Sequence, residues 1–396
     1  METGEQRETL IRLCQELVRC PSVSGEERSV ASLLGKKMLS CGFDRADVDG
    51  LGNVVGLVRF SKPGKTLLYE AQMDHVSVGD LESWTHYPFE AARENERIYG
   101  RGTSDQKGSL SAMILAASLL KQERSADLSG ELLIAATVQQ ESFEGVASSI
   151  IARNYSPDFV VVTEASGLRV ERGQRGRAEI SLETAGRMAH TAHPSLGINA
   201  ASKMIKLLGT LESVFVPQVD PFFGEGHLVL TNLISLPQPN ASVISDRCRA
   251  TLDRRLNDKE SRESVLEQIR QTINALSLLD PQLKAFADLS SQEGRSYTGA
   301  LMKCGHFAPA WSFPENHPLV AGALRGLQAE GIESRIGEKA GYGTSGHAYA
   351  LRGIPTIAFG PSTKGLLHVN DEYIEIEQLY SALKGYCGIA AAILGA

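Results

Sequence analysis

Two nearly uninterrupted apolar runs, Gly130 to Val138 and Asp158 to Thr163, limit this chain more than any other feature. A strand with one wet face alternates polar and apolar residues. One that is apolar at successive positions is buried on both faces, as in a sheet covered by helices on each side. Helical spacing fills 107–122, with Leu110, Met113, Ile114, Ala117 and Leu120 on one stripe, and recurs at 146–153. Pro355 to Gly360 is a further buried run. Asn53 to Phe60 and Lys65 to Met73, rich in Val and Leu, predict two paired strands. Ahead of them, 5–20 and 26–41 are amphipathic, with Ser24 expected to cap the second helix. The result is a layered α/β domain.

A different rhythm starts near Gly176. Ala178–Ala185 alternates, Asn199–Phe215 is helical, Leu228–Leu236 and Ser242–Leu256 are strands, Ser261–Leu276 is a helix and Leu283–Leu289 is a short strand. That β-α-β-β-α-β order describes a ferredoxin-like α+β unit. The chain returns to α/β character after Gly294 and ends in an apolar helix, Ile374 to Leu394. A discontinuous α/β domain, 1–175 and 294–396, therefore carries an inserted domain at 176–293. At 396 residues, two cores are the expected arrangement.

A net charge of −7 argues against nucleic acid or an anionic membrane surface as partner. No apolar run is long enough to span a bilayer, and the first twenty residues are charged and amphipathic, unlike a signal peptide. Six scattered cysteines without a Cys-x-x-Cys pair read as reduced thiols, hence a cytoplasmic protein. Cys248 falls on the apolar row of its strand.

The chemistry gathers around Tyr99-Gly-Arg-Gly-Thr-Ser-Asp105, a glycine-rich turn leading into a helix. Alone, Asp105 would be read as a helix cap. Other acids and an imidazole, however, follow successive strands: Asp74 after 65–73, Glu141 after 130–138, Glu164 after 158–163, and His368 beyond 355–360. Carboxylates and an imidazole converging on one sheet edge are the donors a zinc-like ion takes, and one carboxylate can bridge two ions.

These motifs, in this order from about Pro21 to Tyr373, resemble the di-zinc amidohydrolase and aminopeptidase family. Acetylornithine deacetylase, succinyl-diaminopimelate desuccinylase, aminoacylase and glutamate carboxypeptidase belong to it. Arg-Gly-Thr-Ser-Asp-Gln and Arg172-Gly-Gln-Arg-Gly-Arg177 look most like its selenium-metabolism-linked branch. The resemblance implies one or two Zn2+ ions, with Mn2+ or Co2+ as alternatives. It implies Asp105 as the bridging ligand, Glu141 and His368 on one ion, and Glu164 on the other. It also implies a catalytic His190 reaching over from the inserted lid, and Asn240 with Arg254 or Arg255 meeting the substrate carboxylate. In relatives the inserted domain dimerises, so a homodimer is expected.

Two positions depart from the pattern. Gln72-Met-Asp74 stands where the family has His-x-Asp, so an amide replaces an imidazole ligand. Gln140-Glu141 stands where it has Glu-Glu, so the carboxylate that takes a proton from water is lost, and an amide cannot replace it. His75 is the nearest substitute ligand, but consecutive side chains on a strand point oppositely, so Asp74 toward the site sends His75 away. His347 borders the cleft in relatives and is grouped with the substrate-binding positions; packing at a helix start is its plainer reading. Two functions follow: a metal-dependent hydrolase of N-acyl amino acids or small peptides, impaired by Gln72 and Gln140, or a non-hydrolytic binder of amino-acid-like ligands. A repurposed enzyme, performing acyl transfer, lies between them.

Overall fold

A computed structural model describes residues 3–238, 242–337 and 343–395. Six strands form the principal sheet in the order Arg45–Val48, Val54–Arg59, Ser129–Thr137, Lys62–Gln72, Phe159–Val162, Thr356–Ala358. The last four run parallel; the first two are antiparallel additions. Period-two alternation sends Leu67, Tyr69, Leu132, Ile134 and Val161 into one core and Leu68, Leu133, Ala135, Val160 and Val162 into another on the opposite face. The helices Gly108–Arg124 and Ile376–Leu394 cover the first core, and Val146–Tyr155 packs on the second.

Two local expectations are corrected. The strands at 54–59 and 62–72 do not pair with each other, because Ser129–Thr137 lies between them and pairs with both. Closeness in sequence suggested a hairpin, but the more apolar strand takes the central position. Ser24 does not cap the second helix, which begins at Arg28 after Glu27; its hydroxyl donates instead to Asp74 Oδ2 at 2.7 Å.

The inserted unit has its own core, running from Ala178 to Leu289. Its antiparallel sheet has the order His227–Leu236, Arg247–Leu256, Gly176–Ala185, Lys284–Leu289, with the helices Ala200–Val214 and Arg262–Leu279 on one face. The strand Gly176–Ala185 alternates buried and half-buried residues along its whole length. The chain leaves the unit through the hairpin Ser291–Arg295 with Leu301–Gly305, and Phe307–Ala308 pairs back onto Gly176–Ala185. The first strand of this hairpin alternates exposed and half-buried residues.

Parallel strands set the position of everything that follows. Their carboxyl ends lie on one edge, the place where open α/β sheets leave a crevice.

Candidate metal centre and cleft

Each strand of the parallel set releases one functional segment at that edge: Gln72 to Asp74, Gln140 to Glu141, Glu164, and the loop to His368. They border a cavity of about 720 Å³, lined among others by Gln72, Asp105, Gln140, Glu141, Glu164, His347 and His368.

Asp105 reaches it through the glycine-rich loop. Gly102 has φ +85°, a left-handed turn that glycine adopts without strain. Asp105 (φ −129°, ψ 77°) does not cap the following helix, because that helix starts at Gly108 with Lys107 in the cap position. Buried Glu372 fixes this loop. Its Oε1 accepts from Ser104 N (2.8 Å) and Asp105 N (3.1 Å), and its Oε2 from Gly102 N (3.0 Å) and Arg101 Nη1 (2.7 Å). Arg101 also donates to Val369 O at 3.0 Å, so the Asp105 and His368 loops are held as one body.

His368 Nε2 lies 3.0 Å from Asp105 Oδ2 and 3.3 Å from Glu141 Oε2. The hydrogen bonds to Asp105 and then Glu141 push the imidazole up to about 10. Burial raises the carboxyl of Asp105, against the pull of His368. One donor atom from each of the three residues falls within 4.8 Å of the others. Two carboxylates and an imidazole at this spacing fit a zinc-like ion with an open position, and the field that draws a proton onto His368 also favours a divalent cation.

A second position is poorer. Glu164 lines the same cavity, but Gln72 Nε2 donates to Glu141 Oε1 at 2.6 Å. Turning the amide over would set two oxygens against each other, so the face Gln72 presents to Glu141 is a donor, not a ligand. Gln140 also has an occupation: its Oε1 accepts from Gly145 N at 3.1 Å.

Asp74 does not line the cavity. Fully buried, it accepts from Gln140 N (3.0 Å), Glu141 N (3.1 Å) and Ser24 Oγ, which makes it the support of the turn that carries Glu141. Burial pushes its carboxyl up to about 7 despite the Ser24 bond. His75 points away: its Nε2 accepts from Ser22 N (2.9 Å) and its Nδ1 donates to Val76 O (2.8 Å), with burial lowering it to about 4. Glu27 and Cys248 are buried structural residues.

The residues expected from the inserted unit fare differently. His190 is exposed, accepts from Ala192 N through Nδ1, and does not line the cleft. Arg254 is not at the substrate position. It shares the inward row of its strand with Cys248, Ala250, Leu252 and Leu256, pairs with Glu260, and lies 4.4 Å over the Phe215 ring. Arg255 pairs with Asp253 at 2.9 Å, also outside the cleft. Asn240 lies outside the described residues. Arg177 of the strand Gly176–Ala185 does reach the wall, on the face opposite Ala178 and Ile180, where it bonds Asp253 (2.6 Å) and Glu179 (3.1 Å). Lys303, His306, Lys364 and Glu144 share that wall. Strand alternation alone could have singled out Arg177; the bonding of Glu372 to backbone amides left no trace in the sequence.

The chain is similar to known proteins in sequence and in fold. The profile of peptidase family M20/M25/M40 matches residues 68–392. An uncharacterized protein of Escherichia coli (strain K12), YgeY, is 30% identical over 388 residues, covering 96% of this chain and 93% of its own. Succinyl-diaminopimelate desuccinylase 2 of Ruegeria sp. (strain TM1040) is 25% identical, also covering 96% and 93%. Among solved structures, an M20 family metallo-carboxypeptidase from Sulfolobus solfataricus superposes with a TM-score of 0.76 at 17% identity, covering 98% of this chain and 99% of that one. The chain belongs to peptidase family M20/M25/M40.

Proposed function

We propose that this protein hydrolyses the amide bond of an N-acyl amino acid or small peptide with the help of a metal ion, zinc by its donor set, and Mn2+ or Co2+ as substitutes. The observation that carries this reading is the cluster of Asp105, Glu141 and His368 at the carboxyl ends of parallel strands, inside a substrate-sized cavity. Once bound, such an ion polarises a carbonyl and makes water more acidic. The chain's own residues orient the rest. Asp74 and Glu372 hold the two ligand-bearing loops, and Arg177 offers a charge complementary to a substrate carboxylate. Glu164, with Gln72, forms a second, weaker metal position. The amides at Gln72 and Gln140 lower the rate, leaving it to whichever other acceptor the cleft provides.

His190 acts only if the lid closes or a second copy presents it. A homodimer through the inserted domain suits the exposed apolar residues Val229, Leu230, Leu233 and Ile234 on its edge strand. Six unpaired thiols suit a reducing, cytoplasmic setting. Among the described residues, no helix is long and apolar enough to cross a membrane.

The test is turnover of the full chain on acetylated, formylated and succinylated amino acids and dipeptides, with added zinc, manganese or cobalt. A second reading, ligand binding without hydrolysis, is favoured by the Gln72 bond to Glu141, which occupies an oxygen the weaker position needs. Calorimetric binding of the same compounds without turnover would support it.

A further inference from the structure

Amide hydrolysis needs a group in the cleft that accepts a proton from water, and most candidates on its wall are unsuited. Gln72 and Gln140 are amides. Asp105 and Glu141 are committed to His368. Glu164 belongs to the weaker metal position, and Glu144 lies within electrostatic reach of the Arg177 guanidinium.

His347 is differently placed. Its Nδ1 donates to Thr344 O at 2.7 Å, so a basic lone pair on this ring can only be that of Nε2. The ring lies against Gly145, where a Cβ would stand 2.5 Å from both Nε2 and Cε1, so only glycine admits it; φ there is +75° as well. Gly145 N is also the donor to Gln140 Oε1 at 3.1 Å. Nε2 and the Gln140 side chain are therefore separated by a single glycine, on the same wall of the same cavity.

We propose that His347 is the proton acceptor of this cleft, acting from beside the position where Gln140 cannot. It rests on the hydrolytic reading above. Nε2 takes one proton from the attacking water as its oxygen bonds to the amide carbon. When the C–N bond breaks, the electron pair stays on nitrogen, which takes that proton back from Nε2.

The experiment compares the metal-loaded full chain with H347Q, H347Q/Q140E and E144Q on the N-acyl amino acid and dipeptide panel, measuring metal content alongside. The expected result is that H347Q loses about 10²–10⁴ in kcat with its metal retained. The carboxylate supplied by Q140E should then recover most of that loss in the H347Q background, a recovery that a misfolded protein would not show. Unchanged turnover in H347Q overturns the proposal, as does a larger loss in E144Q. Loss of metal together with turnover in H347Q overturns it too, since His347 would then be a ligand. An H347Q/Q140E protein that binds metal but stays inactive shows that the lesion is not a missing acceptor. Metal-loaded wild type without turnover on any compound defeats the hydrolytic reading itself; turnover that H347Q keeps defeats His347 alone.

Discussion

The amide of Gln72 and the carboxylate of Glu141 are joined by a 2.6 Å hydrogen bond, so a metal-ligand candidate spends one oxygen on a neutral neighbour. The other oxygen, Oε2, faces His368. Metal binding is expected to be asymmetric for that reason. A single tightly held ion belongs to Asp105, Glu141 and His368, and a weak one to the Glu164 side. Gln72→His exchanges a donor for an imidazole ligand and should raise the stoichiometry after dialysis. Elemental analysis of the two dialysed proteins checks this; equal, full occupancy of both positions in the parent chain would sink it.

Glu372 should matter to stability as much as to the site. It and Arg101 are an ion pair at 2.7 Å with both side chains buried, and its oxygens also take three backbone N–H groups. Glu372→Ala leaves a buried guanidinium and three amides without their acceptor, at a cost of about 3–5 kcal/mol. Because those amides belong to the Asp105 loop, metal affinity should fall about 10–100-fold as well. Urea unfolding of the metal-free protein and a chelator competition read the two effects separately. A loss below about 1 kcal/mol would place this pair with exposed ones.

How much of this was legible depended on where the physical signal lay. Buried strands and the lid's alternation are written in apolar periodicity, and the acids at strand ends followed from them. Arg254 shows the limit. It lies in step with Cys248, Ala250, Leu252 and Leu256, so its inward direction was available, but likeness to substrate-binding lid positions drew attention the other way. Glu372 shows a deeper one: apart from Arg101, 271 positions away, its partners are backbone amides, which every residue type carries, so residue spacing does not announce the role. The position of Ser129–Thr137 between two sequence neighbours was equally hidden, since pairing order is a property of the closed sheet.

His75 should make stability depend on pH in a defined window. The folded chain holds it neutral down to about 4, through burial, while the unfolded chain takes up a proton near the ordinary value of 6.5. Between those values the unfolded state binds more protons, so stability rises with pH. The contribution is complete above 6.5, shrinks as pH falls toward 4, and changes no further below that. Its full size is about 3 kcal/mol. Unfolding free energies of the parent and of His75→Gln at pH 7 and pH 5 isolate it. The parent should lose more on acidification than the variant; parallel losses would contradict the assignment.

The lid's edge strand should be where two copies meet. Val229, Leu230, Leu233 and Ile234 are 37–53% exposed on a strand with one unpaired edge, a combination that invites association. Leu233→Lys adds a charge that such a contact would have to desolvate. Sedimentation of the full chain should show a dimer that the variant shifts toward monomer, with thermal stability of the folded subunit little changed. A parent that remains monomeric at high concentration would remove the edge from consideration.

Restoring both departures together tests how the site is coupled. Gln72→His should strengthen the second metal position, and Gln140→Glu should provide a carboxylate where an amide now accepts from Gly145. Both act on the same step, the delivery of water to the amide carbon, so their effects are not additive. Gln140→Glu alone gains little, because the water it would deprotonate is weakly acidified and His347 already accepts its proton. Gln72→His alone improves the ion but leaves the acceptor as it was. The double variant should exceed the product of the single gains, reaching a total of about 10²-fold in kcat/KM. Measured at saturating zinc on the best N-acyl amino acid of the panel, a double variant that merely multiplies the singles would show that Gln72 and Gln140 act on separate steps.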